Sequence, residues 1–188
     1  MDVHMEATPT ARESLVRLEH SKITTADALA FYDTLAPTTL SCLSGRWRGA
    51  SLQTGHPIDG LLEKFGWYGK EFNSEENVHP LLFERRSGDT LSLNPLFMPI
   101  GLLMHHPKLL HQRAASTLFK LLLPLLRTHR HKARLRMMEY RGVISATMVY
   151  DDLPIIDTFR RVDDDTLVGL MDLRGMNQAF FFILRRCR

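Results

Sequence analysis

Five titratable side chains stand where acid–base chemistry would need them: His56, Lys70, His79, Asp157 and Asp172. His56 and His79 each precede a proline, which biases both to extended backbone and makes their imidazoles candidates to project from strand ends into a cavity. Imidazole is the side chain whose ordinary proton affinity lies nearest neutrality, so either histidine could carry a proton. Equally, both could hydrogen-bond backbone and fix turns. Lys70 closes the run Gly66-Trp67-Tyr68-Gly69-Lys70. In an aromatic pocket it could act as a base or form an imine, whereas such a lysine more often pairs with a carboxylate. Asp157 shares a strand face with Ile155 and Phe159, where a core residue is expected, and a buried carboxylate must find a partner or take up a proton. Asp172 follows Met171 at a strand end and raises the same question. Lys70, Arg160, His56 and Tyr150 are candidate partners. A structural ion-pair network competes with a catalytic pair, because no nucleophile with a base beside it stands out.

Both tryptophans of the chain and a cluster of its glycines fall between Gly45 and Lys70, so the backbone there approaches something closely. Trp47, Trp67, Tyr68, Met148, Tyr150 and Phe159 are candidate walls for a small apolar ligand. Metal binding is not expected. His105-His106 and the pair His129 and His131 have basic neighbours at Arg127, Arg130 and Lys132 and no carboxylate nearby. No Gly-rich phosphate loop occurs, which leaves nucleotide binding without support, and no cofactor is expected.

The 188 residues suit a single domain, 1–188, with a sizeable core. Hydrophobic residues at 44% and charged residues at 24% are ordinary for a folded soluble chain. Cys42 and Cys187 show no ligand spacing and read as free thiols in a reducing compartment. The first six residues lack the basic and apolar regions of a secretory signal, so a cytoplasmic location is the expectation. The longest apolar stretch, residues 121–126, is interrupted by Pro124 and falls well short of the ~20 residues of a spanning helix. Net charge is +3, with −4 over residues 1–94 and +7 over residues 95–188. Residues 105–141 hold nine Lys/Arg, five His and one acidic residue, a band that could meet an acidic surface or an anionic ligand. Nucleic-acid binding is not expected, since the basic run over residues 127–136 lacks interleaved aromatics.

The elements that must position these residues follow from the pattern. Thr10-Ala11-Arg12-Glu13 is a capping box for a first helix, and a second starts at Thr24 and stops before Pro37. Strands are expected at 47–52, 67–72, 81–86 and 91–96, with a short helix at 57–64 opened by Pro57 and turn chemistry over Ser87-Gly88-Asp89-Thr90. Residues 97–130 read as a helical insertion, its leucines at spacings of three and four until Pro124 kinks or ends it. From residue 131 the period changes to two. Ala133 and Leu135 alternate with Arg134 and Arg136, Ala146 and Met148 with Ser145 and Thr147, and Phe180, Phe182 and Leu184 with Phe181 and Ile183. About five antiparallel strands with short turns result.

The motifs resemble the bacterial and fungal GXWXG domain, a family without an assigned activity. They are Phe31-Tyr32-Asp33-Thr34-Leu35-Ala36-Pro37, Gly45-Arg46-Trp47-Arg48-Gly49, Thr54-Gly55-His56-Pro57, Trp67-Tyr68-Gly69-Lys70 and His79-Pro80-Leu81. The last third resembles the uncharacterised domain that usually follows, in Glu139-Tyr140-Arg141-Gly142, in residues 148–155, in Asp157-x-Phe159-Arg160 and in residues 181–186. Together the resemblances cover residues 26–86 and 131–186. The Gly-x-Trp opening is also similar to the first strand of lipocalin-type and nitrobindin-type barrels, in which a Trp packs across one end.

The expectation is an α+β chain: an antiparallel, lipocalin-like β-barrel or strongly curled sheet of ~8 strands, with N-terminal helices and a central helical insertion. The function expected is binding of a lipid-like or terpenoid-like molecule in the interior, with His56, Lys70, His79, Asp157 and Asp172 as its polar contacts. The alternative is a cofactor-independent isomerase, lyase or hydrolase using the same groups. A third class is a packing-only module that holds a partner protein through its basic band. Residues 105–136 read as solvated core helix, as a lid, or as a peripheral membrane contact. Oligomeric state is left open.

Overall fold

Residues 9–85 and 88–188 are described by the structure, a computed structural model. The expectations on residues 1–6, Arg86 and Ser87 lie outside the described residues. The strands, in chain order, are β1 (Ala36–Pro37), β2 (Gly45–Ser51), β3 (Trp67–Phe72), β4 (Val78–Glu84), β5 (Thr90–Ser92), β6 (Ala133–Tyr140), β7 (Val143–Tyr150), β8 (Ile155–Asp163), β9 (Thr166–Leu173) and β10 (Phe180–Arg186). Eight of them pair antiparallel in the order β8-β7-β6-β4-β3-β2-β10-β9, and β9 returns to β8, which closes the barrel. β1 pairs with β8 and β5 with β4, outside the ring.

Closure is uneven. β8 and β9 share eight register pairs, whereas β4 meets β6 at Val78 and Ala133 alone. Two backbone bonds support that seam, Lys132 N–H to Val78 O at 3.0 Å and Leu135 N–H to Glu75 O at 2.7 Å.

Sidedness follows the alternation. Phe180, Phe182 and Leu184 enter the barrel core, while Phe181 and Ile183 enter a second apolar layer outside it. That layer lies under α1 (Ala11–Glu19) and α2 (Thr25–Thr34), which bury Leu15, Ala28, Phe31 and Tyr32. Both helices start with capping boxes, Thr10 with Glu13 as the sequence predicts and Thr24 with Asp27 at the predicted start, each cap contributing about 1 kcal/mol. Burial on both faces explains why β10 opens as the unbroken apolar run Phe180 to Leu184.

One end of the barrel is plugged. Trp47 donates its indole N–H to the carbonyl of Leu43, in α3 (Leu40–Leu43), at 2.7 Å, and the Arg186 guanidinium lies 4.2 Å from its ring centre. The other end is covered by α4 (Leu61–Phe65) and the central insertion. The insertion differs from the kinked helix expected. It consists of a 3-10 turn at Pro95–Phe97, α5 (Ile100–His105), α6 (Pro107–Leu110), α7 (Arg113–Leu122) and a 3-10 turn at Leu123–Leu125. Most breaks fall at prolines, Pro99, Pro107 and Pro124, which cannot donate the backbone bond that a continuing helix requires, whereas the break between α6 and α7 falls at His111-Gln112. Two other expectations are corrected: helix begins at Leu61 rather than Pro57, because Gly60 takes a left-handed conformation at φ +69°, and the strand after residue 90 ends at Ser92, with Pro95 following. Phe119 of α7 anchors the insertion edge-on to Phe65 of α4 at 4.9 Å and against Phe83 of β4 at 5.2 Å. No helix among the described residues is long and apolar enough to cross a bilayer.

Candidate functional site

Strand β3 carries the site, because its pairing is irregular. Register shifts against β4 fall between Trp67 and Gly69 and between Gly69 and Glu71, and the bulge lets Trp67 and Lys70, three residues apart, both face inward. Glycine makes room for this. Gly69 has φ +146° and passes so close to β2 that an added Cβ would lie 2.0 Å from the Trp47 carbonyl oxygen. Gly49 lies beneath the Trp67 ring, 2.2 Å from where its Cβ would be, and Gly169 lies beneath Phe182 at the same distance. The two rings meet edge to face at 5.9 Å.

Between them sits an ion pair. Lys70 Nζ is 2.8 Å from Asp157 Oδ2, with the two side chains 3% and 1% exposed. Lys70 also donates to the Pro80 carbonyl at 3.2 Å, and its Nζ lies 5.0 Å from the Phe182 ring centre, 5.7 Å from Tyr150 and 5.8 Å from Trp67. Three ring faces thus support the cation where water is excluded. Burial pushes the Asp157 carboxyl up from its ordinary range, against the opposing pull of the Lys70 charge. Burial, then the Asp157 charge, pushes the Tyr150 phenol well up. Asp157 Oδ1 and Trp67 Nε1 are both buried without a hydrogen-bond partner among the described residues.

These side chains line an inner compartment of about 50 Å³, together with Leu81, Leu153, Ile155, Met171, Leu173 and Phe180. An outer chamber of about 390 Å³ lies between the insertion, α4 and Phe83 of β4. Its lining is apolar throughout, and Ile58, Leu62, Met98, Ile100 and Leu103 line both spaces. A chamber of this size suits a small ligand with few polar contacts.

The other expected site residues lie elsewhere. His56 is buried in the turn before α4 with both ring nitrogens engaged: Nδ1 accepts from Ile58 N–H at 3.2 Å and Nε2–H donates to the Gln178 carbonyl at 3.2 Å. Burial pushes its imidazole down, in keeping with a neutral ring. Asp59, not singled out from the sequence, holds this turn by accepting from the Thr54 and His56 amides at 2.7 and 2.9 Å. Its spacing of three from His56 is the signal of a side-chain-closed turn. His79 is on the outer face, its ring 4.4 Å from that of His131, and burial followed by the His131 charge pushes it down. Asp172 also faces outward and accepts from the Tyr140 hydroxyl at 3.2 Å. Tyr68 contacts Cys187 Sγ at 3.2 Å and Arg48 on the outside. Met148 and Phe159 flank Asp157 inside the barrel as packed core, Phe159 joining Phe72 and Phe182 in an edge-to-face series, and Trp47 belongs to the plugged end. Arg160 points away from Lys70 to the outer layer, over the Tyr32 ring. The structure therefore brings together Lys70, Asp157, Trp67 and Tyr150. The insertion residues beside them, Met98, Ile100 and Leu103, were missed because apolar spacing does not separate a lid from a core.

Fold and site define an antiparallel barrel with a buried polar pair in a compartment beside an apolar chamber. Residues 30–88 match the GXWXG protein family, and residues 131–186 match a domain of unknown function, DUF4334. A crystal structure of a protein from Thermomonospora curvata is 32% identical, covering 95% of this chain and 99% of that chain with a TM-score of 0.70. No curated protein matches the chain. The protein belongs to the GXWXG family, with the DUF4334 domain forming the second half of the same barrel.

Proposed function

We propose that the protein binds a small, largely apolar molecule, its body in the chamber under the insertion and one polar end at Lys70 and Asp157. The observation that carries this is the adjacency of the two spaces: an apolar chamber of about 390 Å³ shares five lining residues with the compartment that holds a buried ion pair, so small shifts of those apolar side chains would join them. A buried pair of this kind is seldom retained for stability, since apolar residues of similar volume would serve at least as well. Native mass spectrometry of the purified protein tests the reading, paired with titration of an environment-sensitive apolar fluorophore. A retained mass or saturable binding is expected, lost in Leu103→Trp, whose indole occupies the shared boundary. Absence of both in a folded protein sinks the proposal.

A second reading, an enzyme moving a proton in the same cavity, is favoured by one observation. Asp157 lies within hydrogen-bond reach of Lys70, keeps one oxygen free among the described residues, and borders open space. If it holds, the extracted ligand incubated with protein in heavy water gains deuterium, and Asp157→Asn abolishes that gain. No deuterium uptake with the wild type rejects it.

A further inference from the structure

The geometry points to a hydroxyl as the polar group that the inner compartment recognises: the site takes apolar alcohols in preference to ketones, acids or hydrocarbons of the same skeleton. This rests on the apolar-chamber reading above and narrows its ligand. Two side chains that line the compartment, each more than nine-tenths buried, hold an unused hydrogen-bonding atom. Asp157 Oδ1 can only accept while Asp157 is ionised, and Trp67 Nε1 can only donate. Lys70 is already committed to Asp157 Oδ2 and the Pro80 carbonyl. A single hydroxyl both donates and accepts, so of these groups it alone has the chemistry to answer either atom. A ketone answers the indole and leaves the carboxylate oxygen bare; a carboxylate sets its charge against Asp157; a hydrocarbon answers neither. Size agrees, since about 50 Å³ exceeds the ~10–15 Å³ that a group the size of one water needs by the same kind of measure.

Calorimetric titration with dodecan-1-ol, dodecan-2-one, dodecanoic acid and dodecane, repeated with decalin-based alcohol and ketone, tests this at neutral pH. The alcohols are expected to bind at least about tenfold more tightly than the other members of each set, the preference that one unanswered buried polar atom imposes. Trp67→Phe keeps a ring and removes the donor, so it weakens alcohol and ketone alike. Asp157→Asn turns an amide toward the compartment in place of the bare oxygen and shifts preference toward the ketone. Equal binding of alcohol, ketone and hydrocarbon, or tighter binding of the acid, overturns the hydroxyl inference and leaves the chamber reading intact. No binding by either skeleton, with no uptake of the fluorophore, removes the chamber reading itself.

A different observation carries a second inference: we infer that the outer side of the insertion docks on an anionic lipid surface. Helix α7 buries none of its residues fully, and although Ala115, Phe119 and Leu122 face the chamber, Leu121 of this helix and Leu125 of the 3-10 turn after it are absent from the chamber lining and stand 72% and 77% exposed, and Leu96 of the same insertion is also exposed. A soluble surface rarely carries such a group without a partner. Complementarity of charge selects the lipid, because residues 95–130 hold Lys108, Arg113, Lys120, Arg127 and Arg130 and no Asp or Glu, while the cations that follow in and beside β6, Lys132, Arg134, Arg136 and Arg141, are paired with carboxylates of the chain. Co-sedimentation with phosphatidylcholine vesicles, with and without phosphatidylglycerol, reads the effect. Binding is expected with the anionic vesicles, weakened at least tenfold in Leu121→Ser/Leu125→Ser and falling with salt. Sedimentation that ignores vesicle charge or that substitution overturns the inference, as does concentration-dependent dimerisation that the same substitution abolishes.

Discussion

Replacing Lys70 by Met leaves Asp157 as a lone carboxylate at 1% exposure and removes a cation 2.8 Å away without opening a large void. The penalty has a ceiling set by the carboxyl group itself. Rather than remain charged, Asp157 takes up a proton, which at pH 7 costs about 1.4 kcal/mol for each unit above the ordinary aspartate value of about 3.9, or about 4 kcal/mol. At pH 5 the same ceiling is about 1.5 kcal/mol. Loss of the bond to the Pro80 carbonyl adds about 1 kcal/mol independent of pH. The sign is fixed by linkage: burial already raises the Asp157 proton affinity above its unfolded value, so its contribution to stability is full below the ordinary carboxyl range and is lost as pH rises. Lys70→Met should therefore lower unfolding free energy by about 3–5 kcal/mol at pH 7 and by roughly half as much at pH 5. Lys70→Met/Asp157→Val removes both charges and should return to within about 1 kcal/mol of wild type. Urea denaturation at the two pH values, with unchanged m-values, measures each quantity. A cost that does not change with pH, or a double variant as weak as the two single variants summed, refutes an energetically coupled pair.

Gly49→Ala places a methyl 2.2 Å from the Trp67 ring and should cost about 2–3 kcal/mol, with a shift in tryptophan emission, whereas Gly55→Ala meets nothing within 4 Å and should cost only the about 1–2 kcal/mol of its positive φ. Equal urea midpoints for the two would contradict the ring-over-glycine arrangement. Burial depresses the His56 proton affinity, so the unfolded chain protonates first and stability held above about pH 6.5 is lost as pH falls below it. His56→Gln, measured by thermal denaturation from pH 7 to 5, should show a shallower decline than wild type; an identical slope excludes His56 as a source. Phe119→Ala removes the ring that fastens α7 to Phe65 and Phe83, and should speed proteolysis within the insertion while leaving the strands resistant. Cleavage at the wild-type rate would show that another contact holds α7.

The second half of the fold could be read from alternation alone. Phe181 and Ile183 against Phe180, Phe182 and Leu184 predicts two buried faces, and α1 and α2 supply the cover that the outer face requires. Asp157 was legible for the same reason, as a carboxylate on a face otherwise apolar. Its partner, Lys70, was legible only as one of four candidates, because an unbroken period of two sends Trp67 and Lys70 to opposite faces, and only the bulges at Gly69 bring both inward. The alternation that carries Met171 into the barrel also carries Asp172 out of it, and that consequence needed no structure. His56 was a different matter. Its nitrogens are satisfied by backbone groups that the turn closed by Asp59 and the β9–β10 connection bring close, and no spacing between titratable residues encodes that.

The ring of strands is sheathed unequally. Where β8, β9 and β10 run, α1 and α2 clamp the outside and long ladders stitch neighbour to neighbour; where β4 approaches β6, one register pair and two backbone bonds bridge the wall. Local opening of the wall should therefore begin at this seam. Amide protons of Val78, Ala133 and Leu135 should trade with solvent earliest among the core strands, because this stretch of wall can part without unravelling the rest.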